Sequence, residues 1–357
     1  MNGLYPAIRS RRVEGVNGLS MHYLEAGEAG RPCVLLLHGF PELAYSWRKV
    51  MPALAAGGYY VVAPDQRGYG KTTGWDGRYD GDLAPYRMLN LVEDALGLLA
   101  LLGIGQAHVV GHDFGSPVAA YCALTRPDVF RSVVLMSAPF GGTPIGGRSG
   151  NIHEELAALG RKHYQWYYST READDNMRRC PQGVHAFLRA YYHYKSADWP
   201  GNRPFALKGW FATELAKMPT YYIMELDKGM AETVAAHMPA GPAEWLTDAE
   251  LGVYAEAFER NGFQGGLQWY RCATNAQYSA ELGAAVAGRK IGIPAMYIAG
   301  ASDWGVHQKP GELERMQAEV CTDFRVAHLI EGAGHWVQQE RPERTAALLL
   351  DFLRTAG

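Results

Sequence analysis

Six short apolar runs, at residues 33–37, 59–63, 107–110, 132–136, 294–299 and 324–330, punctuate the chain at intervals too long for hairpins. They are rich in strand-forming residues, and most of the stretches between them place apolar side chains at helical spacing, as at 89–102 and 342–354. Buried strands alternating with helices predict a mostly parallel twisted sheet flanked by helices, an α/β fold. Ahead of these runs, Asn17-Gly18 separates two strand-like segments, which predicts an antiparallel hairpin at one sheet edge.

The alternation breaks between 136 and 294. That interval is polar-aromatic, helical in propensity and cut by several Pro and Gly residues. The chain therefore divides into a core domain, 1–139 with 290–357, and an inserted helical cap at 140–289. An insertion at this point belongs over the C-terminal edge of the sheet, where open α/β folds bind ligands. Of 21 Tyr and 9 Trp in the chain, 11 and 5 fall between 139 and 285. Most of these aromatics serve the cap's own packing, but the enrichment also suits an apolar tunnel with a few hydroxyl donors.

Within this frame the run Gly111-His112-Asp113-Phe114-Gly115 has the spacing of a nucleophile elbow, with aspartate where the G-x-S-x-G pattern places serine. It follows the apolar run 107–110 and precedes a helical stretch at 117–124 that has Pro117 in its first turn. Small residues on either side suit a tight strand-to-helix reversal. Taken alone, Asp113 could equally be an aspartate capping a helix. As a nucleophile it implies particular chemistry. A carboxylate attacking an acyl group would form a high-energy anhydride, so its productive target is a saturated carbon bearing a leaving group, and the product is an alkyl ester of the enzyme.

Hydrolysis of such an ester requires a base, an acid to orient it and an oxyanion hole. His335, flanked by Gly334 and Trp336 after the last run, has the late position that the order nucleophile, acid, histidine demands. Asp303 directly follows the run 294–299 and so lies at the same sheet edge. No carboxylate occurs at 137–150 after the preceding run. His38-Gly39-Phe40-Pro41 ends the first run, which assigns the oxyanion-hole amides to Phe40 and Phe114.

Composition narrows the partners. With 357 residues and 48% hydrophobic content the chain can bury a large core. A net charge of -3, with no dense basic block beyond Arg9-Ser10-Arg11-Arg12, points away from nucleic acid and anionic membranes. The apolar stretch 95–104 is too short to span a bilayer, and the first residues lack a signal-peptide layout, so a cytoplasmic location is expected. The five cysteines are odd in number and scattered, as buried hydrophobes would be, and no metal-ligand spacing appears among the twelve histidines. Neither a metal nor a cofactor is expected.

The chain resembles the α/β-hydrolase-fold epoxide hydrolases of the soluble type over nearly its whole length. The matching stretches are His38-Gly39-Phe40-Pro41-Glu42 with Ser46-Trp47-Arg48, Asp65-Gln66-Arg67-Gly68-Tyr69-Gly70, the Asp113 elbow, Gly262-Phe263 with Trp269-Tyr270-Arg271, and Gly334-His335-Trp336. The resemblance implies that Tyr164, in His163-Tyr164-Gln165, and Tyr270 donate to the epoxide oxygen, with Tyr167 and Tyr168 close enough in sequence to compete for the first role. It places Pro41, Gln165 and Trp336 in the substrate pocket. The implied partners are a small apolar epoxide and water, and a homodimer is left open. Where the family usually has Trp after the nucleophile, this chain has Phe114, which changes the pocket wall but keeps the backbone donor. A haloalkane or haloacid dehalogenase shares the Asp-His-Asp machinery, and a non-catalytic protein holding an apolar ligand shares the fold. The first would need halide-binding partners that Phe114, Ser116 and Pro117 do not supply, and the second would be expected to lack some catalytic part.

Overall fold

The computed structural model describes residues 4–142 and 151–356; residues 143–150, counted with the insertion above, lie outside the described residues. β1 (Ile8–Val16) and β2 (Leu19–Ala26) form the expected edge hairpin. Asn17 and Gly18 turn between them with φ of 47° and 83°, the left-handed conformation that an Asn-Gly pair accommodates. The remaining strands of the main sheet are β3 (Cys33–Leu37), β4 (Tyr60–Pro64), β5 (Ala107–His112), β6 (Phe130–Met136), β9 (Ala295–Gly300) and β10 (Phe324–Ile330). Their order is β1-β2-β4-β3-β5-β6-β9-β10, parallel from β4 onward.

This order creates the binding crevice. From β3 the chain crosses to β4 on one side and then returns to β5 on the other, so the C-terminal ends of β3 and β5 diverge at a topological switch point. β3 is buried along its whole length between helices on both faces, as its five consecutive apolar residues require. β5 runs two residues beyond the expected 107–110. His112 continues it because its buried ring is fully hydrogen-bonded, Nδ1 to Glu42 at 2.6 Å and Nε2 to the His335 carbonyl at 2.7 Å. The five cysteines are free and buried. No helix of the described residues is long and apolar enough to cross a membrane.

Between β6 and β9 the chain forms mainly helices, but one element differs from the sequence reading. β7 (Arg161–His163) and β8 (Ile223–Glu225) pair antiparallel inside the insertion. A three-residue strand of sequence Arg-Lys-His shows no alternation of apolar and polar positions, so its sequence gives no period to read. Two longer helices pack this insertion onto the core. Arg48 after β3 is fully buried and reaches Glu250 on the helix Asp248–Asn261 at 2.8 Å. Trp269 on the helix Gln264–Thr274 donates from Nε1 to the Arg67 carbonyl at 3.0 Å. A Cβ at Gly265 would lie 2.2 Å from the Gly68 carbonyl oxygen, so this helix crosses the core at backbone contact.

The elbow is equally tight. A Cβ at Gly111 would lie 2.1 Å from the Gly115 carbonyl oxygen, a clash with backbone that no side-chain movement relieves. Gly111→Ala is expected to lower the unfolding free energy by about 2 kcal/mol or more, the scale of overpacking a well-filled site. Gly105→Ala, where an added Cβ meets nothing within 4 Å, is expected to stay within about 0.5 kcal/mol of the parent. Urea midpoints measured on both variants check this, and equal midpoints would contradict the close crossing.

Candidate active site

Asp113 sits one residue beyond β5 with φ of 51°, a left-handed conformation rare for a non-glycine residue. Such strain persists only where surrounding contacts over-determine it. Here the Asp113 amide donates to the Met136 carbonyl at 3.2 Å and its carbonyl accepts from the Ser116 amide at 3.1 Å, which starts the helix Gly115–Thr125. The turn lifts the carboxylate into the crevice between β3 and β5. A Cβ at Gly39 would lie 2.4 Å from Asp113 Oδ1, so only glycine lets the β3 loop approach the carboxylate.

The two carboxylate oxygens have different partners. Oδ1 accepts from the Phe40 amide at 2.9 Å, and Oδ2 lies 3.2 Å from His335 Nε2. Burial opposes ionisation of Asp113, but the adjacent His335, with Lys195 and His112 farther off, outweighs it and holds the carboxyl well below the usual range. Asp113 is therefore a buried carboxylate that keeps its charge. The Phe40-Pro41 peptide is cis. The loop that carries it is fixed from below: Gln66 donates from Nε2 to the His38 carbonyl at 2.6 Å, and Asp65 accepts from the Ala44 amide at 2.9 Å.

His335 is oriented from its other nitrogen. Nδ1 is 3.1 Å from Asp303 Oδ1, and Asp303 begins the turn after β9 with the Gly305 amide donating to it at 2.7 Å. Although burial disfavours its charge, His335, Ser137 and the Gly305 amide keep the Asp303 carboxyl lowered. The structure brings together Asp113, His335 and Asp303 as the sequence suggests, and it adds Ser137. Its Oγ donates to Asp303 Oδ2 and lies 2.7 Å from His335 Nδ1. The segment after β6 carries no carboxylate, but its first residue supplies a hydroxyl to the same network. Ser137 also has positive φ, at 68°, the sign of another constrained turn at this edge.

Glu42, part of the matching stretch but given no role there, is fully buried and bonded to His112 and the Gly39 amide through Oε2, with Gln338 on Oε1. Burial alone would neutralise both members of the Glu42–His112 pair, and their mutual attraction instead lowers the Glu42 pKa and raises that of His112. This pair ties the elbow to the His335 carbonyl. Glu340 clamps the same loop from the far side, accepting from the Gly334 amide at 2.9 Å, the Trp336 amide at 3.0 Å and the cap's Ala197 amide at 2.8 Å.

Helices from between β6 and β9 lie over this arrangement. Tyr164 opens the short helix Tyr164–Tyr168, held by the β7–β8 pair, and its hydroxyl donates to Gln308 at 3.2 Å and accepts from Gln165 at 3.2 Å. Tyr270 stands edge-on to Phe114, at 5.0 Å between centroids, and to Phe40, at 5.5 Å, directly above the residues named for the oxyanion hole. The Tyr164 and Tyr270 rings are 5.9 Å apart. Burial, and then the negative Asp113, push both phenols well above their ordinary pKa, so both remain protonated donors. Tyr168, a competitor for the first position, is bonded instead to the Tyr191 hydroxyl at 3.2 Å, and the Tyr167 ring lies beneath the Lys162 ammonium. Of the expected pocket residues, Trp336 is buried beside His335 with its indole N–H on the Tyr192 carbonyl, Pro41 accepts from the Tyr192 hydroxyl, and Gln165 is half-buried against Tyr164.

Residues 32–342 match the family model described as the alpha/beta hydrolase fold. The chain is 36% identical to Epoxide hydrolase B of Mycobacterium tuberculosis over 336 residues, covering 90% of this chain and 91% of the relative. It is 34% identical to Epoxide hydrolase A of the same organism over 353 residues, covering 96% and 97%. A solved epoxide hydrolase from an endophytic Streptomyces superposes with a TM-score of 0.78 at 33% identity, over 98% of this chain and 96% of that one.

Proposed function

The chain belongs to the epoxide hydrolases of the α/β-hydrolase fold, and from that premise we propose that it converts an apolar epoxide and water to a vicinal diol through a covalent ester on Asp113. The observation that carries this reading is the Asp113 carboxylate itself. It occupies the elbow, keeps its charge, and divides its two oxygens between the Phe40 amide and His335.

In the first half-reaction a carboxylate oxygen of Asp113 attacks a ring carbon. The C–O bond of the epoxide breaks, and the leaving oxygen takes a proton from Tyr164 or Tyr270. An alkoxide is a poor leaving group at neutral pH, so a donor that stays protonated is needed at that oxygen. In the second half-reaction His335, oriented by Asp303 and Ser137, takes a proton from water. The hydroxide adds to the ester carbonyl, and the Phe40 and Phe114 amides hold the resulting oxyanion. Collapse of that intermediate breaks the ester C–O bond, and the departing oxygen takes the proton held by His335 to give the diol. The proton left on the Asp113 carboxyl returns through water to the tyrosinate, which restores the carboxylate, the imidazole and the phenol. Residues 140–289 act as the cap that carries the tyrosines, and Pro41, Gln165 and Trp336 line the pocket.

His335→Gln separates the two halves, because alkylation needs no general base and ester hydrolysis does. With styrene oxide the variant is expected to show a stoichiometric burst of epoxide consumption and then stop, with the substrate mass on the peptide containing Asp113. A folded variant with no burst and an unmodified peptide would contradict the covalent course. Tyr270→Phe removes one oxygen donor and is expected to slow alkylation by about 10²-fold, the scale of losing one preorganised donor. Stopped-flow measurement of the burst phase reads this. An unchanged rate, with halide released from bromoalkanes, would transfer the site to dehalogenation.

A further inference from the structure

Three cations that the proposed reaction does not use line one cavity. It has a volume of about 400 Å³, and its wall includes Arg12 on β1, Lys71 in the loop after β4 and Arg260 near the end of the helix Asp248–Asn261. No Asp or Glu lines it. All three cations are exposed, and none forms an ion pair among the described residues. On a chain whose net charge is -3 this is a local excess of the opposite sign. A cleft lined by charges of one sign concentrates counter-ions of the other.

Neutral backbone groups hold the two guanidiniums in place. Arg12 donates to the Ser20 carbonyl at 3.1 Å and to the Lys71 carbonyl at 2.6 Å, while Arg260 and Asn261 both donate to the Gly70 carbonyl, at 3.1 and 2.6 Å. These acceptors leave both charges uncompensated, and each guanidinium keeps N–H groups to spare. The Lys71 ammonium has no hydrogen-bond partner among the described residues, and neither do the Thr73 hydroxyl or the consecutive amides of Gly74 and Trp75 in the same wall. Nearby carboxylates are engaged elsewhere. Glu14 accepts from the Ser20 hydroxyl at 2.6 Å, and the buried Asp65 accepts from the Lys71 amide at 2.9 Å and faces His22 at 2.7 Å.

A singly charged anion would leave most of this cationic excess unmatched. A phosphoryl group carries about two negative charges at neutral pH with three acceptor oxygens, and the planar arginine fork fits its geometry. We propose that this cavity binds a small molecule bearing a phosphate or diphosphate group, whose oxygens are shared by Arg12, Lys71 and Arg260. Trp75, half-buried in the same wall with its indole N–H already on the Thr72 carbonyl at 2.6 Å, offers ring surface to the organic part of that ligand. Because the wall joins the loop after β4 to the helix that carries Glu250, an occupied site adds a further tie between that helix and the sheet.

Calorimetric titration with pyrophosphate at low ionic strength tests this, with acetate as the singly charged control. Saturable one-to-one binding of pyrophosphate is expected, about tenfold or more tighter than acetate, the scale of hydrogen bonds to a charged group, and it is expected to weaken as salt is raised. Lys71→Gln removes a charge that makes no bond in the free protein, so the variant is expected to keep the parent's thermal midpoint without ligand and to lose about tenfold in pyrophosphate affinity. Lys71→Arg is expected to retain most of that affinity. Pyrophosphate is expected to raise the thermal midpoint of the parent and to move that of Lys71→Gln less. Absence of heat and of any midpoint shift in the parent overturns the site, and so does an affinity unchanged in Lys71→Gln. Pelleting with phosphatidylglycerol vesicles, without pyrophosphate binding, would make this face a membrane contact and would equally overturn the small-molecule ligand.

Discussion

An ionised carboxylate held in a strained turn with almost no water around it is the constraint on which the rest of this structure depends. A buried anion is costly unless it is paired and hydrogen-bonded. Asp113 meets that condition with one amide and one imidazole, each on a different oxygen. This is enough to keep it charged and not enough to quench it. The glycines at 39, 111 and 115 follow from the same requirement, since a Cβ at any of them would strike Asp113 or the crossing backbone. The sheet order follows too, because only at the β3–β5 divergence can an amide from one loop and a carboxylate from another face the same space.

Positioning then proceeds outward through buried polar pairs. His335 is held by Asp303 and Ser137 at its ring, and its loop by Glu340 and the Lys195 carbonyl at its backbone. Glu42 and His112 lock the elbow to that loop from beneath. The helices Asp248–Asn261 and Gln264–Thr274 are registered to the sheet by contacts that tolerate little sliding, the Gly68–Gly265 crossing and the Arg48–Glu250 pair. These contacts fix Tyr270 above Phe40 and Phe114. In the proposed reaction that registration matters because a donor displaced by an ångström loses most of its catalytic value.

The elbow, His335 and Asp303 were legible in the sequence because each follows an apolar run and lies in a turn with small neighbours, a local signature. The hairpin at Asn17-Gly18 was legible for the same reason. Ser137 and the Glu42–His112 pair were not, because a serine after a strand, or a glutamate in a loop, has no sequence period that reveals what it meets. Their contacts exist only once the loops after β3, β5, β6 and β9 and the His335 loop meet at one sheet edge. The β7–β8 pair was missed for a related reason: three polar residues pair as a strand because tertiary contacts present a partner, and propensity alone does not favour it.

In the proposed course water attacks the enzyme and not the epoxide. The most direct measurement is a single turnover with enzyme in excess in heavy-oxygen water, followed by mass analysis of the diol and of the peptide containing Asp113. The label is expected in the Asp113 carboxylate and none in the diol. Label found in the diol with an unlabelled Asp113 would contradict it.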